Sequence, residues 1–104
     1  MTEIIKIPGT NISILKKFYD KLFEDYKDKL LIFTPPEKEN KKVTHYITVK
    51  DIDKCIEKIR QLGGKIVVEK TPVPRMGYFI EAEDPEGNYF GLWQEDEDAE
   101  LYDE

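Results

Sequence analysis

The chain has 104 residues and a formal net charge of −6 at pH 7, and the negative charge is concentrated at one end. Residues 95–104 contain seven carboxylates and no lysine or arginine, so residues 1–94 carry a net charge of +1. A body this close to neutral lacks the strongly basic surface that holds a nucleic-acid backbone. An acidic segment is repelled by an anionic membrane surface. The charge distribution therefore excludes nucleic acids and membranes as expected partners.

The remaining composition is typical of one small globular domain without disulfides. Cys55 is the only cysteine, which excludes an intrachain disulfide and a multi-cysteine zinc site. No apolar run approaches the roughly 20 residues that span a bilayer, and the first residues lack the apolar stretch of a signal peptide. We therefore expect a cytoplasmic protein with one domain over residues 1–94 and a disordered acidic segment over residues 95–104.

The first half of the chain predicts a strand, a helix and a strand. Residues 3–7 are short and β-branched, which is typical of a strand. Apolar residues recur at three- and four-residue spacing from Ile12 to Tyr26, which predicts an amphipathic helix of about four turns. Residues 30–34 predict a second, apolar strand, and residues 37–42 predict a solvated loop.

The second half predicts a strand, a helix and three further strands. The strands are expected at residues 43–49, 65–69, 77–83 and 88–94, and the helix at residues 52–62. Gly63-Gly64 ends the helix, since glycine readily adopts the left-handed conformation found there. Residues 71–75 predict a stiff, proline-containing connection. Asp84-Pro-Glu-Gly87 has proline and glycine where a hairpin turn needs them.

Several short phrases occur in an order that resembles one known family. They are Phe18–Phe23, Val49–Asp53, Leu62–Lys65, Asp84–Gly87 and Phe90–Gln94. Together they are similar to successive landmarks of the glyoxalase/bleomycin-resistance/dioxygenase superfamily, which has the vicinal oxygen chelate fold. The likeness covers residues 43–94 well and residues 3–34 loosely.

The resemblance implies paired βαβββ modules whose sheets curl around a cavity. We therefore expect an α+β fold, with a curled mixed sheet and two helices on the outside. Only sixteen residues separate Tyr26 from Val43, which leaves room for one strand rather than three. The first module, residues 3–42, is thus expected to be truncated, and the second, residues 43–94, to be complete. Truncation exposes strand edges, so a homodimer that pairs them is expected.

The resemblance also implies a divalent metal, held by the first strand of each module and by the last strand. On this sequence those positions fall on Ile4 or Ile5, Thr44 and Gly91, and His45 is out of register by one residue. A slip of one residue turns a side chain to the opposite face of a sheet. None of the positions in register supplies an imidazole or a carboxylate, the ligands that a divalent metal needs. We therefore expect no metal and no other cofactor.

Alternation along the strands separates a more polar face from an apolar one. The polar faces, expected to line the cavity, consist of Thr44, Tyr46 and Thr48 on one strand and Phe79, Glu81 and Glu83 on another. The opposite faces, expected to pack against helices, consist of His45, Ile47 and Val49 and of Tyr78, Ile80 and Ala82.

Four further positions complete the candidate site. Tyr89 and Trp93 flank Gly91, so a ligand space lined by flat rings is one interpretation and core packing is the other. Arg75 is either a clamp for an anionic ligand or a surface arginine, and Glu81 either a buried base or a solvated carboxylate. The candidate ligand-binding residues are Thr44, Tyr46, Thr48, Arg75, Phe79, Glu81, Tyr89, Gly91 and Trp93.

Three functions are compatible with these residues. The first is a metal-free protein that binds a small molecule and need not be an enzyme. The second is a divalent-metal lyase, isomerase, dioxygenase or thiol transferase with a displaced metal site at Glu81, Glu83 and His45. The third is an interaction module in which Tyr89 and Trp93 fill the core. The lack of metal ligands at all three expected positions favours the first function, and whether the protein is an enzyme stays open.

Overall fold

Six strands and two helices make up the part of the chain that the structure, a computed structural model, describes, residues 2–35 and 46–99. In chain order they are β1 (Glu3–Pro8), α1 (Ile12–Leu22), β2 (Lys29–Thr34), β3 (Tyr46–Thr48), α2 (Ile52–Gln61), β4 (Lys65–Val73), β5 (Gly77–Glu83) and β6 (Tyr89–Glu95). The fold is α+β with two helices, as predicted. The predicted loop at 37–42 and the first residues of the predicted strand at 43–49 lie outside the described residues.

The second half of the chain forms a four-stranded sheet in the order β3-β6-β5-β4. β3 and β6 run parallel, whereas β5 is antiparallel to both of its neighbours. α2 begins where the Asp51 carboxylate accepts a hydrogen bond from the Lys54 amide at 3.1 Å. It ends before Gly63, whose φ of 93° supplies the predicted stop.

The first half forms a separate sheet in which β1 and β2 run parallel. The prediction had one mixed sheet, but the described strands make two, because none of β1 and β2 pairs with a strand of the second half. In the second half, the first strand pairs in parallel with the last strand. β2 has this same relation to β1, so β2 is the counterpart of β6. The truncation therefore removes the two strands that correspond to β4 and β5.

One hydrophobic core joins the two halves. α1 contributes Leu15, Phe18, Tyr19 and Leu22, and α2 contributes Ile52, Cys55, Ile56 and Ile59. The inward residues of both sheets pack against them. Cys55 is thus a core residue and is not paired.

α1 is one turn shorter than predicted. It ends at Leu22, and Phe23 to Asp25 form a turn in which the Tyr26 amide donates to the Phe23 carbonyl at 2.9 Å. The Tyr26 hydroxyl accepts a hydrogen bond from the Lys50 amide at 2.9 Å, which directs this ring to the second half. The apolar spacing continued past the helix because Tyr26 packs against the same core.

β4 is longer than predicted, because residues 71–73 belong to the strand rather than to a connection. Thr71, Pro72 and Val73 pair with Phe79, Tyr78 and Gly77 after irregularities in the register. A proline has no amide hydrogen to donate, and β4 tolerates one because it is the outer strand of its sheet.

The turn between β5 and β6 anchors the second half to the first. The Asp84 carboxylate, 3% exposed, accepts hydrogen bonds from the Tyr19 hydroxyl at 2.7 Å and from the Asn88 side chain at 3.0 Å. The Glu86 carboxylate accepts bonds from the Thr10 and Asn11 amides at 3.0 and 2.6 Å, at the start of α1. The predicted hairpin turn is therefore also a polar joint between the halves.

The first residues of the acidic segment fold back on the turn between β4 and β5. The Arg75 amide donates to the Ala99 carbonyl at 2.8 Å, the Asp96 amide donates to the Met76 carbonyl at 2.9 Å, and Ala99 is buried. The sequence predicted disorder over residues 95–104. Asp96 and Ala99 of this segment make the hydrogen bonds described above, and residues 100–104 lie outside the described part. Neither helix of the described chain is long and apolar enough to cross a membrane.

Candidate functional site

The candidate site is a face of the second sheet that consists of two rows of side chains across three adjacent strands. In the first row, Gly91 of β6 lies between Tyr46 of β3 and Glu81 of β5. In the second row, Trp93 lies between Thr48 and Phe79, on the same strands. Residues that are direct neighbours across a sheet share a face, so these two rows line one surface.

The opposite face packs into the core. Ile47 and Val49 of the β3 segment and Ile80 and Ala82 of β5 are buried, as the alternation predicts. Tyr78, predicted on the same face, is instead only half-buried, and the Lys70 ammonium lies 4.4 Å from the centre of its ring. Thr44 and His45 lie outside the described residues.

A hydrogen bond crosses the first row above Gly91. The Tyr46 hydroxyl donates to Glu81 Oε2 at 2.7 Å. β6 lies between β3 and β5, the strands that carry these two residues, so the backbones of β3 and β5 are about 10 Å apart. The two side chains meet because the intervening residue is a glycine, which has no side chain to separate them. Partial burial and the adjacent carboxylate raise the pKa of Tyr46 to about 12.

Aromatic rings lie beside this polar pair on the same face. The Tyr46 and Phe79 rings meet edge to face, with centroids 5.7 Å apart. Trp93 is half-buried in the neighbouring row. Glu81 is half-buried, and in the described part of the chain its second oxygen, Oε1, has no hydrogen-bond partner. The face can therefore hold a flat apolar group against the rings, and the Glu81 carboxylate can accept a hydrogen bond from that group.

A cleft of about 530 Å³ opens at one end of this face. Trp93 lines it together with Met76 and with Glu95, Asp96 and Glu97 of the acidic segment. The residues of the acidic segment were not predicted at the site, since their charge pattern indicates only a solvated tail. A second cleft, of about 490 Å³, lies between the turn after α1 and the end of β3, where Thr48 of the second row lines it.

Arg75 and Tyr89 occupy opposite ends of the sheet. Arg75 is exposed on the turn between β4 and β5, next to Met76 of the cleft, with a left-handed φ of 65°. Tyr89 pairs with Glu83 at the other end of β5 and β6, and both are half-buried. The structure thus brings Tyr46, Glu81 and Gly91 together with the second row, but places Arg75 at the margin.

The metal that the family resemblance implies does not fit the positions expected to hold it. Ile5 is a buried core residue, Ile4 is an exposed isoleucine, and Gly91 has no side chain. None of these residues can donate an electron pair from its side chain to a metal. Within residues 2–35 and 46–99, no three histidine, cysteine, aspartate or glutamate side chains are grouped to hold one.

Solved structures of similar fold come from several bacteria. A glyoxalase/bleomycin resistance protein/dioxygenase family enzyme from Burkholderia phytofirmans PsJN is 15% identical, with a TM-score of 0.69 over 88% of this chain and 95% of that chain. TnmS3, an antibiotic binding protein from Streptomyces sp. CB03234, is 15% identical, with a TM-score of 0.69 over 92% and 96%. The fosfomycin resistance protein FosX from Listeria monocytogenes is 14% identical, with a TM-score of 0.68 over 92% and 93%. At these identities the likeness shows the fold alone.

Sequence comparison gives the family. No curated protein matches this chain. The sequence model of the Glyoxalase/Bleomycin resistance protein/Dioxygenase superfamily, however, matches residues 22–92, which is more than half of the chain. The match runs from the end of α1 through most of β6 and includes every residue of the two rows except Trp93. The chain therefore belongs to the Glyoxalase/Bleomycin resistance protein/Dioxygenase superfamily.

Proposed function

We propose that this protein binds a small molecule without a metal, as a homodimer in the cytoplasm. The observation that carries the proposal is the hydrogen bond between Tyr46 and Glu81 above Gly91. It holds a carboxylate among aromatic rings on an open sheet face. One well-placed polar group among apolar rings is the usual composition of a small-molecule site.

The proposed ligand has a flat, apolar body and a hydrogen-bond donor. The body lies against Phe79 and Trp93, and the donor binds Glu81 Oε1, the oxygen that Tyr46 does not use. The donor is favoured as a cation, because no lysine or arginine forms an ion pair with Glu81 among the described residues. Two structural relatives are described as an antibiotic binding protein and a fosfomycin resistance protein, so antibiotics are the first compounds to test as ligands.

Trp93 provides a direct test, because it is the only tryptophan in the chain. We expect its fluorescence to change saturably when a cationic aromatic antibiotic is added, and to change little with fosfomycin. Glu81→Gln should weaken this binding about tenfold, since it removes a charge-assisted hydrogen bond. The matched control is Glu69→Gln, at an exposed glutamate on β4, which should leave the affinity unchanged.

Two results would contradict the proposal. One is equal affinity in the Glu81→Gln variant and the wild type for every ligand that binds. The other is a stoichiometric divalent metal, found by elemental analysis of protein purified without chelators, whose removal abolishes binding.

The homodimer has its own support. β1 and β2 form a two-stranded sheet in the described chain, and its inner face packs against the core while the free edge of β2 has no strand partner there. On its outward face, Ile4, Leu30 and Ile32 are exposed. Light scattering coupled to size-exclusion chromatography tests this part, with a dimer mass expected and a monomer at all concentrations contradicting it.

A further inference from the structure

β2 has the composition of a central strand but lies at a sheet edge. Its counterpart in the second half, β6, pairs on both sides, with β3 and with β5. In the described chain β2 pairs only with β1, so the backbone groups on its other side have no strand partner. The neighbour that β2 lacks corresponds to β5.

The residues of β2 are apolar on both faces. Leu31 and Phe33 pack against the core, whereas Leu30 and Ile32, on the opposite face, are 48% and 38% exposed. A continuous apolar run of this kind is typical of strands that are covered on both faces. Edge strands of monomeric proteins usually carry charges or a proline that prevent pairing with another chain.

β2 lacks this protection. Its only charged residue is Lys29, whose side chain is 4% exposed and whose ammonium lies 2.8 Å from the Glu3 carboxylate. Residues 30–34 contain none of the 22 carboxylates of the protein and no cation. Two copies of this edge can therefore approach each other without bringing like charges together.

We propose that β2 pairs with β2 of a second copy of this chain, antiparallel, across a two-fold axis. The result is one four-stranded sheet in the order β1-β2-β2-β1, which has the same number of strands as the sheet of the second half. A two-fold axis closes the assembly at two chains, because each copy offers the same edge. The inference rests on the proposed homodimer and is independent of the proposed ligand.

Symmetry and strand overlap together give two registers. An axis perpendicular to the sheet pairs residues of the same face, so it passes between the two copies of one residue, and the six residues of β2 overlap most when that residue is Leu31 or Ile32. In the first form Leu30 lies opposite Ile32 of the other copy. In the second, Ile32 lies opposite Ile32. Both forms bring the exposed leucine and isoleucine side chains of the two copies into contact.

Cysteine cross-linking tests the edge and its register. Leu31→Cys and Ile32→Cys each place a thiol on one of the two possible axes, where the Cα atoms of a strand pair are close enough for a disulfide. We expect one of the two variants to form a disulfide dimer readily under mild oxidation. The native thiol should not interfere, because Cys55 is 2% exposed and burial raises its pKa to about 11. The control is Val67→Cys, at a 42% exposed position on the outer strand of the other sheet, which should not cross-link.

A charge at the same edge provides the second test. Ile32→Lys places like charges close together in either register, so it should weaken the dimer about tenfold or more. Val67→Lys should leave the dimer unchanged, and far-ultraviolet circular dichroism checks that both variants fold. If the wild type is a dimer but neither cysteine variant cross-links and Ile32→Lys still dimerises, another surface forms the dimer and the inference is wrong. If the wild type is a monomer, the homodimer and this inference both fail, whereas the ligand proposal stands.

Discussion

The two halves of the molecule share one arrangement and differ in one hairpin. In both, a strand, a helix and a returning strand place the first and last strands side by side in parallel. Only the second half, residues 46–95, adds β4 and β5 between the helix and the last strand. The parallel pair with its helix is thus enough to contribute to the common core, and the added hairpin supplies two of the six residues of the candidate face.

The difference explains why the candidate site is one-sided. Glu81 and Phe79, which complete the two rows, are both on β5. Among the described residues the first half has no counterpart of β5, and its outward face presents Ile4, Leu30 and Ile32 beside the exposed Lys6. The turn after β5 also joins the halves, since Asp84 binds Tyr19 of α1 and Glu86 binds the amides just before α1.

The largest expected effect is at this joint. Asp84→Ala leaves the buried Tyr19 hydroxyl without its acceptor and removes the acceptor of the Glu86 and Asn88 amides. We expect a loss of about 3 kcal/mol in the free energy of unfolding, because several buried hydrogen bonds are lost together. Urea denaturation followed by circular dichroism measures it. Asp53→Ala, at an exposed ion pair with Lys70, is the control and should cost less than about 1 kcal/mol; equal losses in the two variants would show that the joint is not special.

Glu86 tests the same joint through pH. Hydrogen bonds from the Thr10 and Asn11 amides hold the pKa of Glu86 below its ordinary value of 4.5. Its contribution to stability is therefore fully present above about pH 4.5 and is lost as the pH falls through the lower pKa of the folded state. Glu86→Ala should cost about 1 kcal/mol at neutral pH, as for loss of a helix cap. The wild type and the variant should converge in acid, and a difference that is constant down to low pH contradicts this account.

The hydrogen bond between Tyr46 and Glu81 lies in the second half, and its removal should change the titration of Tyr46. Glu81→Gln should lower the pKa of Tyr46 from about 12 towards the ordinary value of 10, without reaching it, since burial is the larger cause of the shift. Ultraviolet absorbance of tyrosinate measures the titration, and Tyr46→Phe identifies which component belongs to this residue. An unchanged titration in Glu81→Gln would mean that the two side chains do not meet in solution.

The smallest expected effect concerns the turn of the hairpin that the first half lacks. Arg75 adopts a φ of 65°, which an L-residue other than glycine adopts only with strain. Arg75→Gly should therefore raise the free energy of unfolding by about 0.5 kcal/mol, whereas Arg75→Ala should not raise it. If Arg75→Gly keeps the wild-type ligand affinity, the predicted anion clamp at this position is excluded as well.

Local patterns in the sequence determined the elements and their faces. Apolar spacing of three and four residues placed both helices, and alternation placed Ile47 and Ile80 against the helices and Tyr46 and Glu81 together on the opposite, more polar face. Gly63 and the Asp84–Gly87 turn were predicted from residues that need particular backbone angles. These features depend on neighbours a few residues apart along the chain, which is why the sequence alone was sufficient, and the family followed from the same phrases in order.

The tertiary structure alone decided what meets across long separations. Only the pairing of β2 with β1 identifies β2 as the counterpart of β6, because an apolar strand does not specify its partner. The contact between Tyr46 and Glu81 needs β3 and β5 to lie on either side of Gly91, and nothing local encodes that register. Asp84 was predicted as a turn residue, but its bond to Tyr19 joins residues that are 65 positions apart. Each of these contacts depends on how distant segments pack, which is set by the whole core rather than by any local pattern.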